Sequence, residues 1–176
     1  MTFDIVLFAV TRVLSNMKII KGNLIDLAED GEFNIIVQGC NCFNTMGSGI
    51  AKEIRERYPA AYEADCQTIK GDRSKLGTYS LMLGKRFNIV NAYTQYDYNN
   101  YRDAPTDKFE YSAFSRILQT LAIEYPGCRF GFPEIGCNLA GGDKKVIYTM
   151  LIDFSVEVRK NLGTVTLVQF DGSRRR

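Results

Sequence analysis

The residues with the most chemical potential lie in two glycine-rich stretches, 37–51 and 133–143. The first carries Cys40, Asn41, Met46, Gly47, Ser48, Gly49, Ile50 and Ala51. The second carries Ile135, Gly136, Cys137, Asn138, Leu139 and Ala140, then Gly141, Gly142 and Asp143. Each follows an apolar run of strand type and leads into a segment with helical periodicity. Glycine at such a junction lets the backbone approach a ligand, and the N–H groups of the loop and helix start favour a phosphate. Two such loops are able to grip a diphosphate from both sides. Asp143 reads in two ways, as the N-cap of the helix that follows or as a base or orienter for an attacking water.

What is missing narrows the chemistry further. The chain has no histidine, which removes the imidazole general base, histidine-dependent triads and histidine-ligated metals. Five cysteines, at 40, 42, 66, 128 and 137, are an odd and scattered set. They read as reduced thiols of a cytoplasmic protein rather than as a disulfide framework. Cys40 and Cys42 lack the C-x-x-C spacing of a zinc site, so no metal and no organic cofactor is expected. Neither stretch is G-x-G-x-x-G or G-x-x-x-x-G-K-[ST], which disfavours a Rossmann dinucleotide site and a P-loop.

The net charge of +2 over 176 residues gives no reason to expect nucleic acid, and Arg174 to Arg176 read as a solvated basic tail, residues 172–176. The apolar run from Ile5 to Val10 is too short for a membrane span and is flanked by Asp4 and Arg12, so no membrane partner is expected. The better pattern starts at Met17, leaving 1–16 as an N-terminal extension or an extra strand.

These loops must be positioned by a scaffold, and its elements alternate. Strands are expected from Met17, over 34–38, as a hairpin over 78–83 and 87–93, over 128–132, and over 164–170. Helical spacing runs through Ile50, Ile54 and Tyr58, where Pro59 breaks or kinks it. It recurs through Phe114, Leu118, Leu121, Ala122 and Tyr125, with Asp107 and Glu110 as a capping box, and through Ile147, Met150, Phe154 and Val158. Between them, 94–106 is a long loop with Tyr96, Tyr98 and Tyr101, either a cover for a site or plain surface. The alternation predicts a three-layer α/β/α fold in one domain, with a central mixed sheet and the ligand loops at the carboxyl ends of its strands.

Taken together, Lys21 to Leu24, Cys40 with Asn41, Gly47 to Gly49 and Ile135 to Asp143 resemble, in that order, the motifs of a macrodomain over about residues 17–170. The form of the second loop is similar to the branch of ADP-ribose 1″-phosphate phosphatases that is also found in phages and bacteria. The resemblance assigns 17–171 to the macrodomain and implies binding of ADP-ribose or its 1″-phosphate. It implies that position 23 accepts from the adenine amino group. Here that residue is Asn23, whose amide oxygen lacks a charge, and whose bland reading is a turn or N-cap. By the same resemblance Leu24 and Ile25 offer backbone N–H groups to the base, and Phe170 lies along it unless it is a core residue. Asn41 is the distal-ribose residue unless it only closes an Asx-turn. Residues 46–50 wrap the distal ribose and one phosphate, and 135–140 hold the diphosphate from the other side.

Related glutamate-specific ADP-ribosyl hydrolases use a lysine after the strand equivalent to 87–93. This chain reads Val90 to Gln95 there with no lysine, which disfavours a Schiff base. The reading that results is a monomeric hydrolase acting on ADP-ribose 1″-phosphate, with Asn41 and Asp143 as candidate catalytic residues. The alternatives are a hydrolase of ADP-ribosylated protein or of an acetyl ester of ADP-ribose, and a non-catalytic ADP-ribose reader.

Overall fold

A computed structural model describes residues 17–98 and 109–173. The expected extension 1–16, Tyr101, Asp107 and Arg174 to Arg176 lie outside the described residues. Strand β1 (Lys18–Lys21) leads to helix α1 (Leu24–Glu29), β2 (Ile35–Asn41), α2 (Gly49–Arg57) and α3 (Pro59–Cys66). A 3-10 turn (Arg73–Lys75) precedes β3 (Tyr79–Met82) and β4 (Asn88–Gln95), followed by α4 (Tyr111–Glu124), β5 (Arg129–Phe132), α5 (Lys144–Arg159) and β6 (Thr164–Gln169).

The strands form one six-stranded sheet in the order β1-β6-β5-β2-β4-β3. Every pair is parallel except the β3–β4 hairpin. In the central strands successive side chains alternate between the two faces. Ile35 and Val37 of β2 pack with Phe114, Ile117 and Leu121 of α4 and with Leu151 and Phe154 of α5. Ile36 packs on the opposite face with Ile25, Ala28, Ile54 and Ala61. Both faces of the sheet are therefore covered, as parallel strands require, and the expected three-layer α/β/α architecture with a mixed sheet is the observed one.

Several boundaries differ from the sequence expectation, each for a local reason. Pro59 ends α2 but occupies the first turn of α3, where a missing N–H and a fixed φ favour a helix start. Glu110 takes the N-cap position of α4 itself without a side-chain cap hydrogen bond, so the capping-box register is not the observed one. Helix α1, six residues long, is too short to display a periodicity. Strands β2 and β4 run on to Asn41 and Gln95, which places these residues at strand ends rather than within loops. Among the described residues no helix is long and apolar enough to cross a membrane.

Candidate functional site

The parallel strands β1, β2, β4, β5 and β6 deliver their carboxyl ends to a single cavity of about 620 Å³. It opens where ligands bind in parallel α/β sheets. Its walls join both glycine-rich stretches: Cys40, Asn41, Met46, Gly47, Ser48, Gly49, Ile50 and Ala51 on one side, and Ile135, Gly136, Asn138, Leu139 and Ala140 on the other. Asn23, Leu24 and Phe170 line it as well. Gly39 allows the two sides to approach, since a Cβ there would stand 3.1 Å from Ile135 Cγ1 and 3.1 Å from Thr94 Oγ1.

Three expected residues are not in the lining. Ile25 is fully buried in the core beneath α1, and its N–H donates to Asn23 Oδ1 at 2.9 Å instead of facing the cavity. Cys137 is half-buried, with its thiol 3.4 Å from the Ile135 carbonyl oxygen. Burial, with the nearby Glu134 carboxylate, pushes that thiol up to about 11. Asp143 caps α5, accepting from the N–H groups of Lys145 at 2.7 Å and Val146 at 3.4 Å.

The helix starts around the cavity differ in a way that bears on anion binding. Helix α1 is capped by Asn23 and α5 by Asp143. Helix α2 begins at Ser48 with no side-chain cap hydrogen bond, and Ser48, Gly49, Ile50 and Ala51 all line the cavity. The first N–H groups of a helix have no intrahelical partner, and the helix dipole adds positive potential there. The uncapped end of α2 thus presents donors and partial positive charge to whatever enters.

Asn41 is held in an Asx-turn: Oδ1 accepts from Phe43 N–H at 2.8 Å and Nδ2 donates to Thr45 Oγ1 at 2.7 Å. It shapes the loop and lines the cavity at once. Phe170 is 56 % exposed just after β6, so the core reading fails, and it lines the cavity.

Sequence reasoning did not single out the lining residues Glu53, Asp65, Thr94, Gln95 and Glu134, whereas Tyr98, named in the 94–106 loop as part of a cover for a site, does line the cavity. Thr94 and Gln95 were findable as the carboxyl end of a parallel strand, and Glu53 lies one turn beyond Gly49. Nothing in the sequence marks Asp65. Glu134 pairs with Lys144 Nζ at 2.5 Å, and that hydrogen bond holds its carboxyl below the usual range. Among the described residues lining the cavity, none is a lysine or arginine.

A six-stranded mixed sheet between helical layers, with glycine-rich loops around a cavity at its carboxyl edge, defines the macrodomain class of fold. The solved macrodomain of Mycobacterium tuberculosis DarG matches with a TM-score of 0.65 at 19% identity, over 89% of this chain and 98% of that one. A Trypanosoma brucei macrodomain crystallised with ADP-ribose matches with a TM-score of 0.62 at 11% identity, over 88% of this chain and 63% of that one. These likenesses show the fold. No family model matches the sequence. An uncharacterized 17.5 kDa protein from the tk-vs intergenic region of Enterobacteria phage T4 is 35% identical over 150 residues, 79% of this chain and 90% of the relative. A shorter segment of 58 residues is 41% identical to an ADP-ribose 1″-phosphate phosphatase of Aspergillus oryzae, covering 31% of this chain and 27% of that protein. The chain has the macrodomain fold.

Proposed function

We propose that this macrodomain binds ADP-ribose and hydrolyses ADP-ribose 1″-phosphate to ADP-ribose and inorganic phosphate. The observation that carries the reading is the uncapped start of α2, opening on a cavity whose facing wall is the second glycine-rich loop. A diphosphate held there receives backbone N–H donors and helix-dipole charge, with no cationic side chain among the described lining residues. Leu24, Val168 and Phe170 offer apolar surface for a base at one end. Asn41, Thr94 and Gln95 offer neutral donors and acceptors for a ribose at the other.

In the proposed reaction a water oxygen bonds to the terminal phosphorus as the bond from phosphorus to O1″ breaks. O1″ takes up a proton to become the ribose hydroxyl, and the proton lost by the water leaves through solvent. Fixed N–H groups stabilise the charge that gathers on the phosphoryl oxygens. The fragmentary likeness to a fungal phosphatase supports this choice of leaving group.

Calorimetric titration with ADP-ribose, then a phosphate-release assay on the 1″-phosphate, tests both halves. Binding and release are expected, and turnover in heavy-oxygen water should place one labelled oxygen in the phosphate. Absence of heat at millimolar ADP-ribose would remove the binding reading, and label in the ribose would move cleavage to the sugar carbon.

A further inference from the structure

Glu134 is a carboxylate with one oxygen tied to the fold and the other left open. Oε1 pairs with Lys144 Nζ at 2.5 Å and accepts from the Tyr148 hydroxyl at 2.9 Å and from Gln169 Nε2 at 3.3 Å. Helix α5 and the end of β6 thus hold it from two directions. Among the described residues Oε2 has no hydrogen-bond partner. The side chain is 25% exposed and lines the cavity, whereas Lys144 stands outside the lining. The hydrogen bond from Lys144, helped by those from Tyr148 and Gln169, keeps the carboxyl below its ordinary range. Glu134 therefore meets the cavity as a fixed anion.

Its neighbours decide which part of a ligand it meets. Glu134 directly precedes Ile135, the first residue of the wall that faces the start of α2. Its partner Gln169 lies between Val168 and Phe170, which offer apolar surface to the base. In ADP-ribose the group between base and diphosphate is the adenosine ribose, so this sugar has to pass Glu134. Its two cis hydroxyls are donors, and a carboxylate oxygen can only accept.

We infer that Glu134 sets the specificity of the cavity at the adenosine ribose, admitting the free 2′-hydroxyl and excluding a 2′-phosphate. A hydroxyl there donates to Oε2, the same chemistry by which an acidic side chain reads a ribose in dinucleotide folds. A phosphate instead sets about 1.5 to 2 negative charges against a carboxylate. No lysine or arginine of the described lining offsets that repulsion. Tyr148 and Gln169 are positioning residues, since they fix Oε1 and so leave Oε2 for the ligand. This inference rests on the ADP-ribose reading.

The test is the ratio of affinities for ADP-ribose and 2′-phospho-ADP-ribose, measured by calorimetry at neutral pH. The unmodified protein should prefer ADP-ribose by about tenfold or more, the scale of one close like-charge contact. In Glu134→Gln the side-chain oxygen can still accept from Tyr148 and Gln169 while the amide turns a donor to the cavity, and the ratio should fall to within about threefold. Lys144→Met moves the ratio the other way: it removes the ammonium that offsets Glu134, and the preference should widen by about threefold or more. Lys144 is 53% exposed, so this variant is expected to fold, and it decides the matter alone should Glu134→Gln not fold. A ratio unchanged in Glu134→Gln would mean that shape rather than charge excludes the phosphate, and it overturns the assignment. So does a Lys144→Met ratio that fails to widen, or an unmodified protein that binds the phosphorylated form as well or better. A merely structural Glu134 would shift the melting temperature and both affinities together and leave the ratio alone. Failure of the unmodified protein to bind ADP-ribose is a separate result that removes the underlying reading and this inference with it.

Discussion

Lys75 Nζ stands 3.7 Å from Asp65 Oδ1, and both side chains are buried. The same ammonium donates to the Cys42 carbonyl at 3.1 Å and to Asn44 Oδ1 at 2.7 Å, and it lies 4.3 Å from the Tyr93 ring centroid. Asn44 Nδ2 in turn donates to the Asp65 carbonyl at 2.6 Å. This ion pair therefore holds the first glycine-rich loop from beneath. Burial raises the Asp65 carboxyl above its ordinary range, opposed by hydrogen bonds from Tyr93 and the charge of Lys75.

Lys75→Met should destabilise the protein by roughly 3–5 kcal/mol, the scale of leaving a buried charge unpaired. The sign of its pH dependence follows from Asp65. Without Lys75 the native carboxyl is raised further, so the native state holds a proton that the unfolded chain releases near its ordinary value. The contribution is full below about pH 4 and is lost as pH rises through the native value. Urea midpoints should therefore show the deficit of Lys75→Met growing from pH 4 to pH 7. A deficit that is constant, or largest in acid, would mean that Asp65 does not depend on Lys75.

The glycines of the two loops serve different ends, and substitutions should separate them. Gly136 has φ +71°, and a Cβ there would lie 2.2 Å from Phe109 Cδ2 in the core. Gly136→Ala should thus reduce stability by roughly 2–5 kcal/mol from backbone strain and overpacking. Gly47 is exposed and lines the cavity, and its Cβ would meet only the Thr45 carbonyl oxygen at 3.9 Å. Gly47→Leu should change stability by no more than about 0.5 kcal/mol while weakening ADP-ribose binding by at least about tenfold. Melting curves with and without ligand distinguish the two. A Gly47→Leu protein that binds as before would place the diphosphate elsewhere.

Asn41 and Asp143, both read from sequence as candidates for catalysis, should part company in assays. Asp143 caps α5 and is absent from the cavity lining. Asp143→Asn should leave phosphate release nearly unchanged, because asparagine caps as well as aspartate, and Asp143→Ala should lower stability by about 1 kcal/mol. Asn41→Ala removes the turn bond to Phe43 and the bond to Thr45, and should lower phosphate release by roughly 10²-fold. A large loss of turnover in Asp143→Asn at an unaltered melting temperature would instead make that carboxylate a participant.

Much of this arrangement is legible in the chain, and the parts that are not share a cause. The Gly47 to Gly49 and Ile135 to Ala140 segments are local signals, and the structure sets them across one cavity. Helix α5 and strand β6 follow from period and punctuation alone. Glu53 and Asp65 are invisible because their meaning comes from residues far along the chain: Asn23 is 30 residues from Glu53, and Tyr93 is 28 from Asp65. Asn23 shows a further limit, since one residue type supports capping and base reading equally. Only the two N–H groups on its oxygen settle which half of the amide faces the cavity.

The absence of an amine from the described lining carries the last prediction. Thr94 and Gln95 stand at the end of β4, where a condensing lysine would be expected. Lys75 is buried beneath the loop with its donors engaged, and Lys144 lies outside the lining, paired with Glu134. A Schiff base needs a neutral amine in reach of the ribose aldehyde. Incubation with an ADP-ribosylated peptide and borohydride should therefore trap no adduct. Intact-mass measurement reads this directly. A stable gain of one ADP-ribose mapped to a lysine would show that an amine reaches the ribose, and a glycosidic reaction at the sugar carbon would then replace attack at phosphorus.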